Sequence, residues 1–94
     1  MNPVRDHPVM FYTYILKNKN DRLYTGYTRD LRKRFKEHNM RKSKYTKYNG
    51  PYVLIYYEAC VNEQDARSRE TYLKSGPGKR YIKNRLKRFL SLTG

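Results

Sequence analysis

Glu70 is the residue that local packing explains least well. It follows Asn62 in a helical stretch whose inward side is marked by Ala66 and Leu73, and it lies about 40° from Ala66 on that side. A carboxylate on an apolar helix face is costly unless it is paired or metal-bound. Two readings stand for it: an ion pair with Arg34 or another arginine, or a ligand for a hard divalent cation whose other ligands are waters and phosphate oxygens. An earlier helix, striped by Leu31 and Phe35, places His38 about 20° and Arg34 about 60° from Leu31. Taken singly, His38 reads as a boundary histidine and Arg34 as a snorkelling side chain. Two tyrosines stand further upstream, in segments rich in aromatic and β-branched residues. A hairpin symmetric about Lys19 puts Tyr14 opposite Tyr24, with the phenols side by side, and Gly26 opposite Tyr12. Together these residues could cleave a phosphodiester. A metal activates water and stabilises developing negative charge, and arginine grips a phosphate with two parallel hydrogen bonds. A phenol beside a metal or a cation has its pKa lowered and can then accept a proton from the attacking water, and Gly26 leaves room for a substrate backbone to approach.

The elements that must hold these residues follow from periodicity and turn chemistry. Val9 to Leu16 reads as a strand, Lys17 to Asp21 as a turn and Arg22 to Tyr27 as a second strand. Thr28 or Asp30 caps a helix running to about Asn39. The stretch from Arg41 to Gly50 is a basic loop or short helix, and Tyr52 to Cys60 is a strand apolar enough to be central and well buried. Asn62 caps a helix ending near Ser75, with Glu63 and Asp65 in its first turn, and Gly76 stops it. Pro77 opens a third helix with apolar positions Ile82, Leu86, Phe89 and Leu90, whose other face carries Lys79, Arg80, Lys83 and Lys87. The expected fold is α/β of the α+β type: a small three-stranded, mostly antiparallel sheet flanked by three helices, in the order ββαβαα. Residues 1–8 read as a tail and 9–91 as one domain.

Composition narrows the partner. In 94 residues there are 22 Lys+Arg against 8 Asp+Glu, a formal net charge of +14, which points to a polyanion. Nucleic acid leads, because each neutralised phosphate releases a condensed counterion. The basic stretches are interleaved with tyrosines and lack a long apolar helix face, which argues against a membrane surface. Eleven tyrosines and three phenylalanines supply apolar area that disordered chains lack. Cys60, the sole cysteine, excludes a disulfide framework and reads as a small core residue. With no hydrophobic leader and no membrane-length run, a cytoplasmic location is expected.

The segments FYTYILKNKNDRLYTGYTRDLRKRFKEHN (Phe11 to Asn39) and ARSRETYLKSG (Ala66 to Gly76) resemble the GIY-YIG nuclease superfamily. The likeness runs from about Val9 to Leu90. It is strongest to small stand-alone bacterial members, which are similar to the N-terminal nuclease domain of the excinuclease C subunit. The resemblance implies that Tyr14 is the GIY tyrosine, Tyr24 the YIG tyrosine, Arg34 and His38 the helix pair, and Glu70 the ligand of one Mg²⁺ or Mn²⁺. It implies one-metal hydrolysis of DNA ahead of RNA, in repair or processing, with one tyrosine as general base. The motifs depart from the family pattern, being Tyr12-Thr13-Tyr14 and Tyr24-Thr25-Gly26 here, although both tyrosines remain. Larger members carry a late asparagine, for which Asn84 is the nearby candidate. They also carry DNA-binding domains, whose work would here fall to Lys42, Lys44 and Lys47 of the basic loop and to Lys79, Arg80 and Lys83. The alternatives are a nucleic-acid-binding accessory protein with little or no catalysis, and an interaction subunit targeted by a partner protein.

Overall fold

In the computed structural model, which describes residues 8–40 and 50–93, the chain begins with strand β1 (Phe11–Asn18) and returns as β2 (Leu23–Thr28). The expected basic loop with Lys42, Lys44 and Lys47, and all of the expected tail before Pro8, lie outside the described residues. The turn between the strands is built by Asn18, whose Oδ1 accepts the backbone N–H of Asn20 and of Arg22, both at 2.9 Å. Asp21 takes a left-handed conformation (φ 63°), which Asp tolerates better than most residues, and Lys17 reaches it at 2.6 Å. This is a three-residue loop closed by a left-handed residue. It centres the hairpin on Asn20, not on Lys19, so Tyr14 pairs with Gly26 and Tyr24 with Leu16. The displacement is an even number of residues, so every side chain keeps its expected face.

Helix α1 (Leu31–Asn39) is capped by Asp30, whose carboxylate accepts the Lys33 N–H at 3.1 Å. Its last residue, Asn39, grips the backbone of Tyr52 with both side-chain atoms: Nδ2 donates to the carbonyl at 3.1 Å and Oδ1 accepts from the N–H at 2.7 Å. Tyr52 opens strand β3 (Tyr52–Cys60). Asn62 then caps α2 (Glu63–Lys74) through the Asp65 N–H. Ser75 ends α2 and caps α3 (Gly76–Arg85), with Pro77 in the first turn.

The expected third helix is in fact two. At Leu86 the backbone leaves helical values (φ −110°, ψ 23°) before α4 (Lys87–Thr93), although no Gly or Pro marks the place. The break leaves Leu86 packed against the core formed by Ile15, Leu73 and Ile82. The order is therefore ββαβααα, an α+β fold with an antiparallel sheet.

The sheet order is β2-β1-β3, which corrects the expectation that Tyr52 to Cys60 would be central. The central strand is β1, where Thr13, Tyr14, Ile15 and Leu16 are buried in succession because both faces are covered. On one face Tyr14, Leu16 and Tyr52 pack with Leu31 and Phe35 of α1. On the other, Ile15 packs with Leu73 of α2 and Ile82 of α3, each burial worth about 1.5–3 kcal/mol. β3 has a partner on one side only, and leaves Val53 and Tyr57 exposed. Its Cys60 is half-buried at the strand end and not in the core, with Sγ donating to the Asn62 carbonyl at 3.3 Å.

A polar clamp ties β3 to the helices. Glu58 accepts from Arg69 Nε (2.9 Å) and Nη2 (2.7 Å) and from the Tyr56 hydroxyl (3.0 Å). The Arg69 guanidinium also lies over the rings of Tyr72 and Tyr81. Among the described residues, no helix is long and apolar enough to cross a membrane.

Candidate active site

Tyr14 is the centre of the site and is nearly sealed, at 1% exposure. Position 26 explains how a phenol fits there. A Cβ on Gly26 would lie 2.5 Å from Tyr14 Cζ and closer still to the hydroxyl, so the strand opposite must lack a side chain. Gly26 thus makes room for Tyr14. That corrects the expected register, in which it faced Tyr12 and left space for a substrate backbone.

The Tyr14 hydroxyl and His38 Nε2 share a 2.8 Å hydrogen bond, the imidazole tautomer setting which of them donates. His38 is fully buried (0% exposure), edge-on to Tyr24 with ring centroids 5.0 Å apart and 6.4 Å from the Tyr52 ring. Burial first, and then the positive charge of Arg34, push His38 down to about 4, so the ring is neutral at pH 7. For Tyr14, burial raises the phenol to about 12 against the opposing pull of Arg34, and the negative charge of Glu70 adds to the rise. The charges of Arg34 and of Glu70 are thus both felt at the Tyr14 hydroxyl, with opposite signs.

Tyr24 sits diagonally across from Tyr14 on the same sheet face, with centroids 6.4 Å apart, and is only half-buried. Arg34 is 33% exposed, and its Nη1 meets Glu37 Oε1 at 3.3 Å. Glu70 stands at the rim of the site, not in its centre: its side chain is 24% exposed and pairs with Lys74 Nζ at 3.0 Å. The expected alternatives for Glu70 named an arginine. The partner found is the lysine one turn further along the same helix.

The structure thus brings together Tyr14 of β1, Tyr24 of β2 and His38 of α1, with the charges of Arg34 on α1 and Glu70 on α2 acting on the Tyr14 hydroxyl. Lys79 and Lys83 lie on the exposed side of α3, beside the Tyr24 end of β2, where Arg80 does not line the same space. Asn84 is exposed in the last turn of α3, where it lines an opening with Lys87, Arg88 and Phe89 of α4 and with none of the Tyr14 cluster. Sequence reasoning missed three residues. Glu37 contacts Arg34, and its i+3 spacing was a readable signal. Tyr52 is buried beside His38, and Asn39 anchors it. Nothing in the local sequence pointed to either.

No group of three or more His, Cys, Asp or Glu side chains suited to a metal occurs among the described residues. Among the described residues, Glu70 is the carboxylate whose charge acts on Tyr14, and it would be the protein donor to a cation there. That suits a hard cation such as Mg²⁺ or Mn²⁺, which keeps waters and takes phosphate oxygens from its substrate. It does not suit a tightly held ion bound by protein alone.

The description "GIY-YIG catalytic domain" fits residues 10–83. A UPF0213 protein of Clostridium perfringens is 50% identical over 66 residues, covering 69% of this chain and 71% of that protein. One from Streptococcus pyogenes serotype M5 is 45% identical over 64 residues, covering 67% and 70%. The solution NMR structure of a UPF0213 protein from Bacillus halodurans is 36% identical, with a TM-score of 0.50 over 78% of this chain and 81% of that one. With the motif tyrosines on paired strands and a domain match spanning most of its length, the chain belongs to the GIY-YIG family, among the small bacterial UPF0213 proteins.

Proposed function

We propose that this protein hydrolyses phosphodiester bonds of nucleic acid, DNA ahead of RNA, as a metal-dependent nuclease acting at the Tyr14 cluster in DNA repair or processing. The observation that carries the reading is the convergence on Tyr14 of a neutral histidine, an arginine, a second phenol and a rim carboxylate. A purely structural core gains little from placing so many ionisable groups around one buried hydroxyl.

Burial separates the roles of the two phenols. Tyr14 is sealed and strongly held neutral, whereas Tyr24 is open enough for an attacking water to reach. Tyr24, as its phenolate, would therefore take the proton from that water, and the phenol so formed would return the proton to solvent. Tyr14, fixed by His38, holds Arg34 and keeps the hairpin surface rigid. Arg34 turns from Glu37 to the scissile phosphate and steadies its developing charge. Glu70 releases Lys74 and holds the divalent cation, which when bound polarises the phosphoryl oxygen and acidifies the water. The net charge of +14 supplies affinity through counterion release, and the site of action is the cytoplasm.

The test is incubation of purified protein with single-stranded, duplex and branched DNA and with RNA, with Mg²⁺, Mn²⁺ or EDTA, beside Glu70→Ala and Tyr24→Phe. Metal-dependent nicking by the wild type, absent from both variants, is expected. Binding by all three proteins with no nicking by any would replace this reading with that of a non-catalytic accessory protein. A targeting partner becomes necessary only if nicking occurs without any preference for substrate shape.

A further inference from the structure

A second opening adjoins the Tyr14 cluster. A cavity of about 490 Å³ lies between β2 and the α2–α3 pair, within the size range of small-molecule sites. Its floor is apolar: Leu23 offers an exposed edge, and the core residues Ile15, Leu73 and Ile82, at 1–2% exposure, lie just beneath. Its rim is cationic. Arg22 of the hairpin turn, Lys74 of α2, and Lys79 and Lys83 of α3 reach it, and among the described residues no carboxylate lines it.

An apolar floor under a purely cationic rim fits a ligand with flat apolar faces and anionic ends. A nucleotide is such a ligand, its base lying against aliphatic side chains and its phosphates meeting lysine and arginine. The cavity is also continuous with the candidate active site. Tyr24 lines it, and Lys74 on its rim is the ion-pair partner of Glu70. We infer that this cavity is a nucleotide subsite, holding one nucleotide of the strand whose neighbouring phosphodiester lies at Tyr24. Lys79 and Lys83 grip its outer phosphate, and Lys74 exchanges Glu70 for the phosphate between the subsite and Tyr24. The inference rests on the proposed function only in taking the ligand to be nucleic acid.

The probe is a 5′-phosphorylated thymidine dinucleotide, titrated into the metal-free protein while the methyl NMR signals of Ile15, Leu73 and Ile82 are followed. Those methyls are expected to shift in a saturable way. Lys79→Glu and Lys83→Glu should each weaken the dinucleotide by roughly 10-fold, while Lys87→Glu on α4 changes it less than about twofold. Two cavity variants guard against one that simply misfolds, which its own spectrum reveals. Equal weakening by all three substitutions, or unmoved methyls, overturns the subsite in favour of diffuse charge attraction. Shifts produced by decanoate and not by the dinucleotide overturn it in favour of an anionic lipid. A parallel nicking assay separates the two ideas. Methyl shifts without nicking uphold the subsite and refute the nuclease, and nicking with unmoved methyls does the reverse.

Discussion

Gly26→Ala is the substitution whose outcome general propensity and this structure predict with opposite signs. Within a strand, replacing Gly by Ala ordinarily stabilises by about 0.5–1 kcal/mol through reduced chain entropy. Gly26 has no positive φ that would oppose the change. The new methyl would nevertheless lie 2.5 Å from Tyr14 Cζ, on a ring that is 1% exposed and tethered to His38. Overpacking of this kind costs about 1–3 kcal/mol. Displacing the ring also breaks the Tyr14–His38 bond, at about 1 kcal/mol. The net expectation is a loss of about 1–3 kcal/mol, which in a domain this size lowers Tm by roughly 5–20 °C. Thermal unfolding followed by circular dichroism reads it directly. In a Tyr14→Leu background the ring is gone, so adding Gly26→Ala should be neutral or mildly stabilising. A rise in Tm for the single variant, or an equal loss in the Tyr14→Leu background, would refute the steric account of this glycine.

His38 predicts a pH dependence. Its folded value, lowered to about 4 by burial and then by Arg34, lies below the ordinary 6.5, so between those values the unfolded chain binds a proton that the folded one does not. Stability is full above about pH 6.5, falls through the window and levels off near pH 4, by ~3 kcal/mol in all. Urea unfolding at pH 7 and pH 4.5 should show most of this fall in the wild type and little of it in His38→Gln; equal slopes would remove His38 as the cause. Gly78→Ala should be worse than Gly26→Ala, by more than about 3 kcal/mol, because a Cβ there would stand 2.5 Å from Leu73 Cα and strike backbone at Tyr72, which cannot swing away. Expression of a folded Gly78→Ala with an unchanged Tm would contradict the close α2–α3 contact. Glu58→Ala removes the acceptor of the Arg69 fork and of the Tyr56 hydroxyl, yet the pair is partly exposed, so about 1 kcal/mol is expected in denaturant unfolding. If Glu70 is the protein ligand, as proposed, with no cluster of further ligands among the described residues, Mn²⁺ alone should show no saturable binding below about 1 mM by calorimetry, and a micromolar site would mean ligands other than those proposed.

Much of this architecture was legible because it rests on local chemistry. Thr28 or Asp30, Asn62 and Pro77 announced three helix starts, and runs of aromatic, β-branched and apolar residues gave all three strands. The hairpin register was not legible. It depends on Asp21 adopting a left-handed conformation, a choice that KNKND permits without dictating. Strand order escaped for a different reason: the tyrosine-rich β3 is apolar in composition but keeps its polar hydroxyls and an open edge, while β1 earns its central place only from helices packing on both faces. The break at Leu86 has no punctuating residue.

At the site, face assignments survived the register change because the shift was even, so Tyr14 and Tyr24 still face the same way. Glu70 changed most in meaning. Its supposed burial was the strongest local argument for a functional role, yet it is a rim residue satisfied by Lys74. Its claim to bind metal now rests on its nearness to Tyr14 and on the family motif. Sequence could not reveal the sealing of Tyr14, which requires Gly26, His38 and Tyr52 to meet from three parts of the chain.

The central claim is that Glu70 and the Tyr14–Tyr24 hairpin form one metal-dependent phosphodiesterase site. Its most direct test is the Mn²⁺ dependence of single-turnover nicking by wild type and Glu70→Gln on the substrate the panel selects. Saturating dependence on Mn²⁺ in the wild type, with a rate at least ~100-fold lower in a folded Glu70→Gln, is the predicted result. Equal rates and equal metal dependence in the two proteins would contradict it.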